Sequence, residues 1–195
     1  MKRLIPDIGD ALLIVDVQND FLPGGSLAVP RGDEVVPPLN RCLALFSANR
    51  LPVYTSRDWH PADHYSFRAQ GGPWPPHCIA DTYGAEFPSD LDLPADAVII
   101  SKADTPGQDS YSAFGNTDLG LCLKAVDVRR LFVGGLATDY CVLNTVKDAR
   151  ALGYDVVLLT DAVRPVEAKA GDGDKALAEM RQLGAQLAVS ADLMQ

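Results

Sequence analysis

Four residues with chemically useful side chains follow apolar runs of this 195-residue sequence. Asp16, Asp58 and Lys102 each close such a run, and Cys141 follows another across a glycine-containing turn. In an open parallel sheet, ligands bind beyond the carboxyl ends of the strands, so these side chains are expected at one edge. Each alone has an ordinary explanation as a turn residue or a solvated strand end. The convergence of a base, a cation and a thiol favours a catalytic site.

Cys141 is the candidate nucleophile. Residues 130–134 read as a buried strand, a glycine-containing turn follows, and Thr138 is a good N-cap for the next helix. A helix N-terminus offers free N–H groups and a positive dipole end, both of which favour a thiolate and lower its pKa. The same N–H groups can receive the oxyanion formed when a thiolate attacks a carbonyl. The alternative interpretation of Cys141 is a buried thiol with a structural role only.

A candidate metal site lies in the long, proline-rich loop at about 58–94. Asp58 and His60 are two residues apart, so their side chains lie on the same side of an extended chain. His64 and His77 follow, and the loop holds all three histidines of the sequence. A single surface histidine usually binds nothing, but a carboxylate with several imidazoles suits zinc, iron or manganese. The loop therefore predicts one divalent ion.

Strands alternating with helices must position these residues. We expect strands at 11–16, 51–56, 97–102, 130–134, 155–160 and 186–189, and helices at about 33–49, 118–126, 138–152 and 172–183. The apolar runs lack alternation, as is typical of strands buried on both faces. This pattern predicts one domain over 1–195, a three-layer α/β/α sandwich around a mostly parallel sheet of roughly six strands.

Composition narrows the class of protein. The net charge of −9 with no basic cluster argues against nucleic acid and anionic membranes as partners. No apolar run approaches the roughly 20 residues of a membrane span, and no signal-like stretch begins the chain, so we expect a cytoplasmic protein. Cys42, Cys78 and Cys122 are interpreted as core residues rather than parts of a disulfide framework.

Five segments resemble motifs of the nicotinamidase branch of the isochorismatase-like hydrolases, in that family's order and over nearly the whole chain. They are residues 14–21 (Ile-Val-Asp-Val-Gln-Asn-Asp-Phe), 24–29 (Gly-Gly-Ser-Leu-Ala-Val), 58–60 (Asp-Trp-His), 74–78 (Trp-Pro-Pro-His-Cys) and 135–142 (Gly-Leu-Ala-Thr-Asp-Tyr-Cys-Val). The resemblance implies a catalytic triad of Cys141, Asp16 and Lys102. It also implies a set of metal ligands, which is Asp58, His60 and His77, with His64 similar to an extra ligand of some members.

The resemblance further implies a substrate and a reaction. The family hydrolyses nicotinamide to nicotinate and ammonia in NAD salvage, and also pyrazinamide, through a cysteine thioester. The N–H groups of Ala137 and Cys141 would form the oxyanion hole, with a cis peptide bond before Ala137. Phe21, Trp74 and Tyr111 match aromatic pocket positions, and Leu136 is expected beside them. The family contains several assemblies, so a homo-oligomer stays open.

Two other functions remain open at this stage. A related amidase could use the same nucleophile on another small amide, and a non-catalytic metal-binding protein could share the fold. Ala103 and Ala113 stand where the family often has glycine, which concerns loop geometry rather than the reaction. The combined presence of Cys141, Asp16 and Lys102 argues against a binding function alone.

Overall fold

Six parallel strands form a single sheet in the computed structural model, which describes residues 4–194. The strands are β1 (Asp10–Val15), β2 (Val53–Asp58), β3 (Val98–Lys102), β4 (Arg130–Leu136), β5 (Asp155–Arg164) and β6 (Gln186–Ala188). Their order across the sheet is β3-β2-β1-β4-β5-β6, and every neighbouring pair is parallel. The predicted parallel sheet of about six strands is confirmed.

Helices cover both faces of the sheet. The helix α1 (Val36–Ala48) packs on one face, where Phe46 meets Phe132 of β4 edge-on at 5.4 Å between ring centroids. The helices α2 (Leu119–Ala125), α3 (Leu143–Ala151) and α4 (Asp172–Gln182) pack on the other face. The three-layer α/β/α sandwich is therefore confirmed. No helix within residues 4–194 is long and apolar enough to cross a membrane.

The central strand β1 shows why the apolar runs lack alternation. All six of its residues are buried. Leu12 and Ile14 contribute to the core under α1, whereas Leu13 and Val15 contribute to the core on the opposite face. Because successive side chains of a strand point to opposite sides, a strand covered on both faces needs apolar residues at every position.

The first helix begins later than the sequence pattern predicts. Residues Gly32–Val35 form a 3₁₀ turn, and α1 starts at Val36 with Pro37 and Pro38 in its first turn. Proline is accepted there because the first N–H groups of a helix have no partner inside it. The prolines therefore mark the start of α1 rather than a kink within it.

The segment before Cys141 also differs from expectation. Residues Thr138–Val142 form one turn of π-helix that leads into α3, and Ala137 precedes this turn. The Thr138 hydroxyl is buried without a hydrogen-bond partner among the described residues, so the predicted N-cap is wrong. β5 likewise runs to Arg164, four residues beyond its predicted end.

The carboxyl ends of β1 and β4 lie side by side at the point where the strand order reverses. Val15 pairs with Gly135, whose φ is +122°. A Cβ at position 135 would lie 2.0 Å from the Val15 carbonyl oxygen, so a side chain does not fit. This close approach brings the segments that follow the two strands, which carry Asp16 and Cys141, to one crevice.

Two leucines of α2 provide a matched test of the core. Leu123 is fully buried, whereas Leu121 on the same helix is 68% exposed. We expect Leu123→Ala to lower the free energy of unfolding by about 2–5 kcal/mol, because it leaves a cavity. Leu121→Ala should change it by less than about 0.5 kcal/mol. Urea denaturation followed by circular dichroism measures both, and equal losses would contradict the packing described.

Candidate active site

Lys102, at the end of β3, joins three other side chains in a buried cluster. Its Nζ lies 3.0 Å from Asp16 Oδ2 and 3.8 Å from Cys141 Sγ, and it also contacts Asp58 Oδ1. Nζ donates a further hydrogen bond to the Ser110 carbonyl at 3.1 Å. Ligand atoms of Asp16, Asp58 and Cys141 lie within 4.8 Å of one another. The structure thus brings together the four residues that the sequence places at strand ends.

Asp16 is held in place from β2. Its Oδ1 accepts a hydrogen bond from the Ser56 hydroxyl at 2.7 Å, and its backbone N–H donates to the Ser56 carbonyl at 3.2 Å. The backbone of Asp16 has a φ of 49°, a left-handed conformation that aspartate adopts more readily than most residues. The chain turns at this point, directly after β1, so the carboxylate stays fixed beside Lys102.

Burial and charge set the protonation of the cluster. Burial outweighs the effect of Lys102 and raises the pKa of Asp16. Burial also raises the pKa of the Cys141 thiol well above its ordinary value, despite the nearby ammonium. For Lys102, burial is overcome by Asp16 and Asp58, and the pKa is raised well above its usual range. The site therefore holds a lysine cation and a neutral thiol.

This result corrects the expected ionisation of Cys141. The sequence predicts a pKa lowered by a helix N-terminus, but the thiol is buried at the edge of the cavity and lies beside the carboxylates of Asp16 and Asp58. Burial and these carboxylates raise its pKa. Loss of hydration disfavours the thiolate more than Lys102 favours it. Cys141 must therefore pass its proton to a base before or during any attack.

Asp58, His60 and His77 form a group with the donor set of a divalent metal site. One ligand atom from each lies within 4.8 Å of the other two, and all three side chains are buried. The Nδ1–H of His60 donates to the His77 carbonyl at 3.1 Å, and the Nδ1–H of His77 donates to the Pro75 carbonyl at 2.8 Å. These bonds leave Nε2 of each ring available, as in many metal-binding histidines.

The electrostatics of this group also fit a cation. Burial lowers the pKa of His60 to about 4, so its ring is neutral near pH 7 and can act as a ligand. Burial alone would raise the pKa of Asp58, but Lys102, His60 and His77 together outweigh it and the pKa is lowered. A carboxylate and two imidazoles with free Nε2 atoms suit zinc, iron or manganese.

His64 has other partners in the structure. Its Nδ1 lies 2.7 Å from the Ser66 hydroxyl, and its Nε2 lies 2.8 Å from the Gln108 carbonyl. Because a carbonyl oxygen only accepts, Nε2 carries a proton and offers no lone pair to a metal. In this arrangement His64 ties the metal loop to the segment after β3 instead of serving as a ligand.

Gln18 is a positioning residue that sequence reasoning missed. It is fully buried two residues after Asp16, and its Nε2 donates to the carbonyls of Asp58 (2.8 Å) and Ala85 (2.9 Å). Its Oε1 accepts the Asp58 N–H at 2.8 Å. Gln18 thus fixes the backbone of Asp58 from both sides. A buried amide next to an apolar strand is the signal that could have revealed it.

A cavity opens above Cys141. Its walls are mostly apolar and aromatic, with the metal group at one side. It is lined by Phe21, Leu27, Val29, Asp58, His60, Ser66, Trp74, His77, Asp109, Tyr111, Leu136, Ala137, Tyr140, Cys141 and Val166. The four residues assigned to the substrate pocket from the sequence (Phe21, Trp74, Tyr111 and Leu136) all lie in this wall.

The aromatic wall includes a residue that the sequence analysis overlooked. Trp74 Nε1 donates to the Tyr111 hydroxyl at 3.2 Å, and the ring of Tyr140 packs edge-on against both rings at 5.4 and 5.5 Å. Tyr140 directly precedes Cys141, and that adjacency was the available clue. Phe21 also lines the cavity and lies beside the His77 ring.

Ala137 and Cys141 both line the cavity floor, as an oxyanion hole built from their N–H groups requires. The Leu136–Ala137 peptide bond is cis, so the predicted cis bond is confirmed. The role of the two N–H groups remains a proposal.

The buried glutamine provides a test of how Asp58 is held. We expect Gln18→Met to lower the free energy of unfolding by about 1–3 kcal/mol for each backbone group left unsatisfied. It should also weaken metal binding, because the backbone of Asp58 loses its fixed position. Chemical denaturation and metal titration measure the two effects. Gln182→Met, on the exposed end of α4, is the control, and a Gln18 variant that behaves like it would refute the assigned role.

The chain is similar to known proteins over nearly its whole length. The isochorismatase domain profile matches residues 10–192. The nicotinamidase of Escherichia coli (strain K12) is 41% identical over 203 residues, covering 93% of this chain and 95% of that protein. The crystal structure of the pyrazinamidase of Pyrococcus horikoshii in complex with zinc superposes with a TM-score of 0.89 at 46% identity, covering 93% and 99% of the two chains.

A second solved structure is PnC1 from L. infantum in complex with nicotinate. It has a TM-score of 0.88 and 37% identity, covering 96% of each chain. The profile match, the identity and the shared fold extend over nearly all of the sequence, and the chain belongs to the isochorismatase domain family.

Proposed function

We propose that this chain is an amidohydrolase that converts nicotinamide to nicotinate and ammonia, a reaction of NAD salvage. One observation supports the proposal above all others. Cys141, Asp16 and Lys102 form a buried cluster at an aromatic-walled cavity, next to the candidate metal ligands Asp58, His60 and His77. The names of the relatives support the same reaction, since the compared proteins are a nicotinamidase and a pyrazinamidase. Pyrazinamide, with a similar ring and carboxamide, is expected to be a second substrate.

The aromatic wall orients the substrate. The planar ring lies between Phe21 and the group of Trp74, Tyr111 and Tyr140, which offers apolar area and ring edges for stacking. The carboxamide then points to the floor, where Cys141 Sγ is placed for attack on the carbonyl carbon. Holding both reactants in one cavity lowers the entropic cost of the encounter.

Asp16 acts as general base and then as general acid. Its carboxylate takes the thiol proton of Cys141 as Sγ bonds to the carboxamide carbon. Its raised pKa suits a group that must both accept and return a proton. When the C–N bond breaks, Asp16 gives this proton to the departing ammonia, and a thioester with Cys141 remains.

Lys102 and the backbone stabilise the charges that develop. The Lys102 ammonium lies within reach of both Asp16 and Cys141, so it favours the carboxylate and the thiolate when each is formed. The N–H groups of Ala137 and Cys141 donate to the tetrahedral oxyanion, and one such donor typically contributes about 10²–10³ in rate. Asp16 then accepts a proton from the attacking water and passes it to the Cys141 sulfur as the C–S bond breaks. The product is nicotinic acid, which releases its carboxyl proton to solvent and leaves as nicotinate.

Asp58, His60 and His77 are the residues that would hold the divalent ion, with zinc favoured over iron and manganese. When bound, such an ion supplies a Lewis acid for the ring nitrogen of the substrate. Gln18 keeps the backbone of Asp58 fixed, and the carbonyls of His77 and Pro75 orient the two imidazole rings. The metal ligands are therefore positioned by the protein itself.

Replacement of the nucleophile tests the reaction. We expect Cys141→Ala to reduce ammonia release from nicotinamide by roughly 10⁴-fold or more, because no thioester can form. Cys122→Ala, on α2, should keep full activity. Circular dichroism verifies that both variants are folded. Undiminished turnover by Cys141→Ala would refute the mechanism, and a preference of the wild type for aliphatic amides would indicate a related amidase.

Removal of one imidazole tests the metal site. We expect His60→Ala to lower metal content and nicotinamide hydrolysis together, because it removes a ligand with a free Nε2. The control is Asp63→Asn, an exposed change on the same loop that should leave both unchanged. Elemental analysis of the purified proteins measures bound metal. Normal metal content in His60→Ala would show that the ligand set is wrong.

A further inference from the structure

The carboxylate of Asp20 joins two loops next to the candidate metal ligands. Asp20 lies in the segment after β1 and is partly buried. Its Oδ2 accepts a hydrogen bond from the Cys78 N–H at 2.7 Å, and its Oδ1 accepts one from the Ser26 N–H at 3.1 Å. Each donor is a neutral backbone group, so these bonds hold the carboxylate without cancelling its charge.

A third segment packs directly against this carboxylate. Gly84 lies in the 3₁₀ turn Tyr83–Ala85, and a Cβ at position 84 would lie 2.1 Å from Asp20 Oδ2 and 2.6 Å from Oδ1. The Asn19 side-chain amide donates to the Tyr83 carbonyl at 2.8 Å and ties the same turn to the segment of Asp20. The position of the carboxylate is therefore built into the fold.

The N–H group that Asp20 binds belongs to the same peptide group as the carbonyl of His77. That carbonyl accepts the Nδ1–H of His60 at 3.1 Å, so a chain of hydrogen bonds runs from Asp20 through the peptide group to the His60 ring. Hydrogen bonds in such a chain polarise one another. An anion at one end makes the carbonyl a better acceptor, which in turn makes His60 Nε2 a better electron donor.

The backbone of His60 is fastened to the same segment. Its N–H donates to the Cys78 carbonyl at 2.9 Å, and its carbonyl accepts the Ala80 N–H at 2.8 Å. Cys78 has a φ of 45°, a left-handed conformation that is uncommon for a residue with a side chain. The bond from Cys78 to Asp20 helps to hold this conformation, and both histidine ligands depend on it for their alignment.

Charge balance favours a carboxylate at this distance. Asp58, the acidic member of the candidate ligand set, already contacts the Lys102 ammonium. A divalent ion on Asp58 and two neutral imidazoles would therefore keep excess positive charge in a largely apolar cavity, where such charge is costly. Asp20, one peptide group away from a ligand, offsets part of it.

We infer that Asp20 is a positioning residue of the metal site, which holds the peptide group between His77 and Cys78 so that the histidine ligands face one ion. This inference rests on the metal site of the proposed function. The role is indirect, because both oxygens of Asp20 are occupied by backbone N–H groups. Asp20 thus does for the histidines what Gln18 does for Asp58.

Zinc affinity tests this role, measured by competition with a chromophoric chelator on the full-length protein first stripped of metal. We expect Asp20→Asn to weaken zinc binding by about 10- to 100-fold, as loss of an outer partner of a metal ligand typically does. The matched control is Asp139→Asn. Asp139 is also partly buried, and its carboxylate accepts the N–H groups of Val166 (2.9 Å) and Glu167 (3.0 Å), in the segment after β5. This control loses an equivalent bridge and should bind zinc like the wild type.

A second variant moves the carboxylate without removing its charge. Gly84→Ala places a Cβ against Asp20 Oδ2, so the carboxylate must leave the Cys78 N–H, and we expect zinc binding to weaken here as well. Cobalt(II) provides a spectroscopic readout. The visible absorption bands of the cobalt-loaded protein should shift in Asp20→Asn and stay as in the wild type in Asp139→Asn, because only the first change alters the histidine ligands.

Asp58→Asn serves as the reference for loss of an assigned ligand. Weak zinc binding by Asp58→Asn with normal binding by Asp20→Asn would overturn the role of Asp20 and leave the metal site standing. Normal binding by both would overturn the metal site as well. Equal losses in Asp20→Asn and Asp139→Asn, or an unshifted cobalt spectrum in Asp20→Asn, would also overturn the inference. If circular dichroism shows that Asp20→Asn is unfolded, Gly84→Ala takes its place, and wild-type zinc affinity in that variant overturns the inference. None of these readouts depends on nicotinamide hydrolysis.

Discussion

A buried ammonium determines the organisation of this protein. Lys102 is almost completely enclosed, and its charge is compensated by Asp16 and Asp58, which end or follow the neighbouring strands β1 and β2. Removing one partner of a buried ion pair usually costs several kcal/mol, because the remaining charge stays desolvated. The three strand ends must therefore meet at one point. Cys141 enters the same cluster from β4, so one cation links the catalytic group to the metal-binding group.

The reaction chemistry follows from this enclosure. In water an aspartate would be ionised and a cysteine would lose its proton only above neutral pH, and the two would rarely exchange a proton. Here burial raises the pKa of both groups, while Lys102 stabilises either anion at short range. Proton transfer between Asp16 and Cys141 then requires little reorganisation of solvent. The site is therefore suited to proton transfer between Asp16 and Cys141, and the cysteine does not need to be ionised permanently.

The sequence predicts the strands and helices well, because local patterns of apolar and polar residues determine them. Apolar runs without alternation identify the buried strands, and the polar residue that closes each run identifies the reactive edge. The roles of Gln18 and Tyr140 were missed, because their positions beside Asp16 and Cys141 are only a clue and their contacts join segments far apart in the chain. Gln18 and Asp58 are 40 residues apart, and His64 and Gln108 are 44 apart. The ionisation of Cys141 was wrongly predicted for the same reason, because burial is a property of the whole fold.

The glycine at position 135 places a limit on how this sequence can diverge. Its backbone conformation and its contact with Val15 leave no room for a side chain, and any substituent would push β4 away from β1. Asp16 and Cys141, which follow these strands, would then move apart. Random mutagenesis would thus find substitutions at position 135 as poorly tolerated as substitutions of the nucleophile, although this glycine takes part in no chemistry. Mutational intolerance in this fold reports the spacing of backbones as much as the identity of reactive atoms.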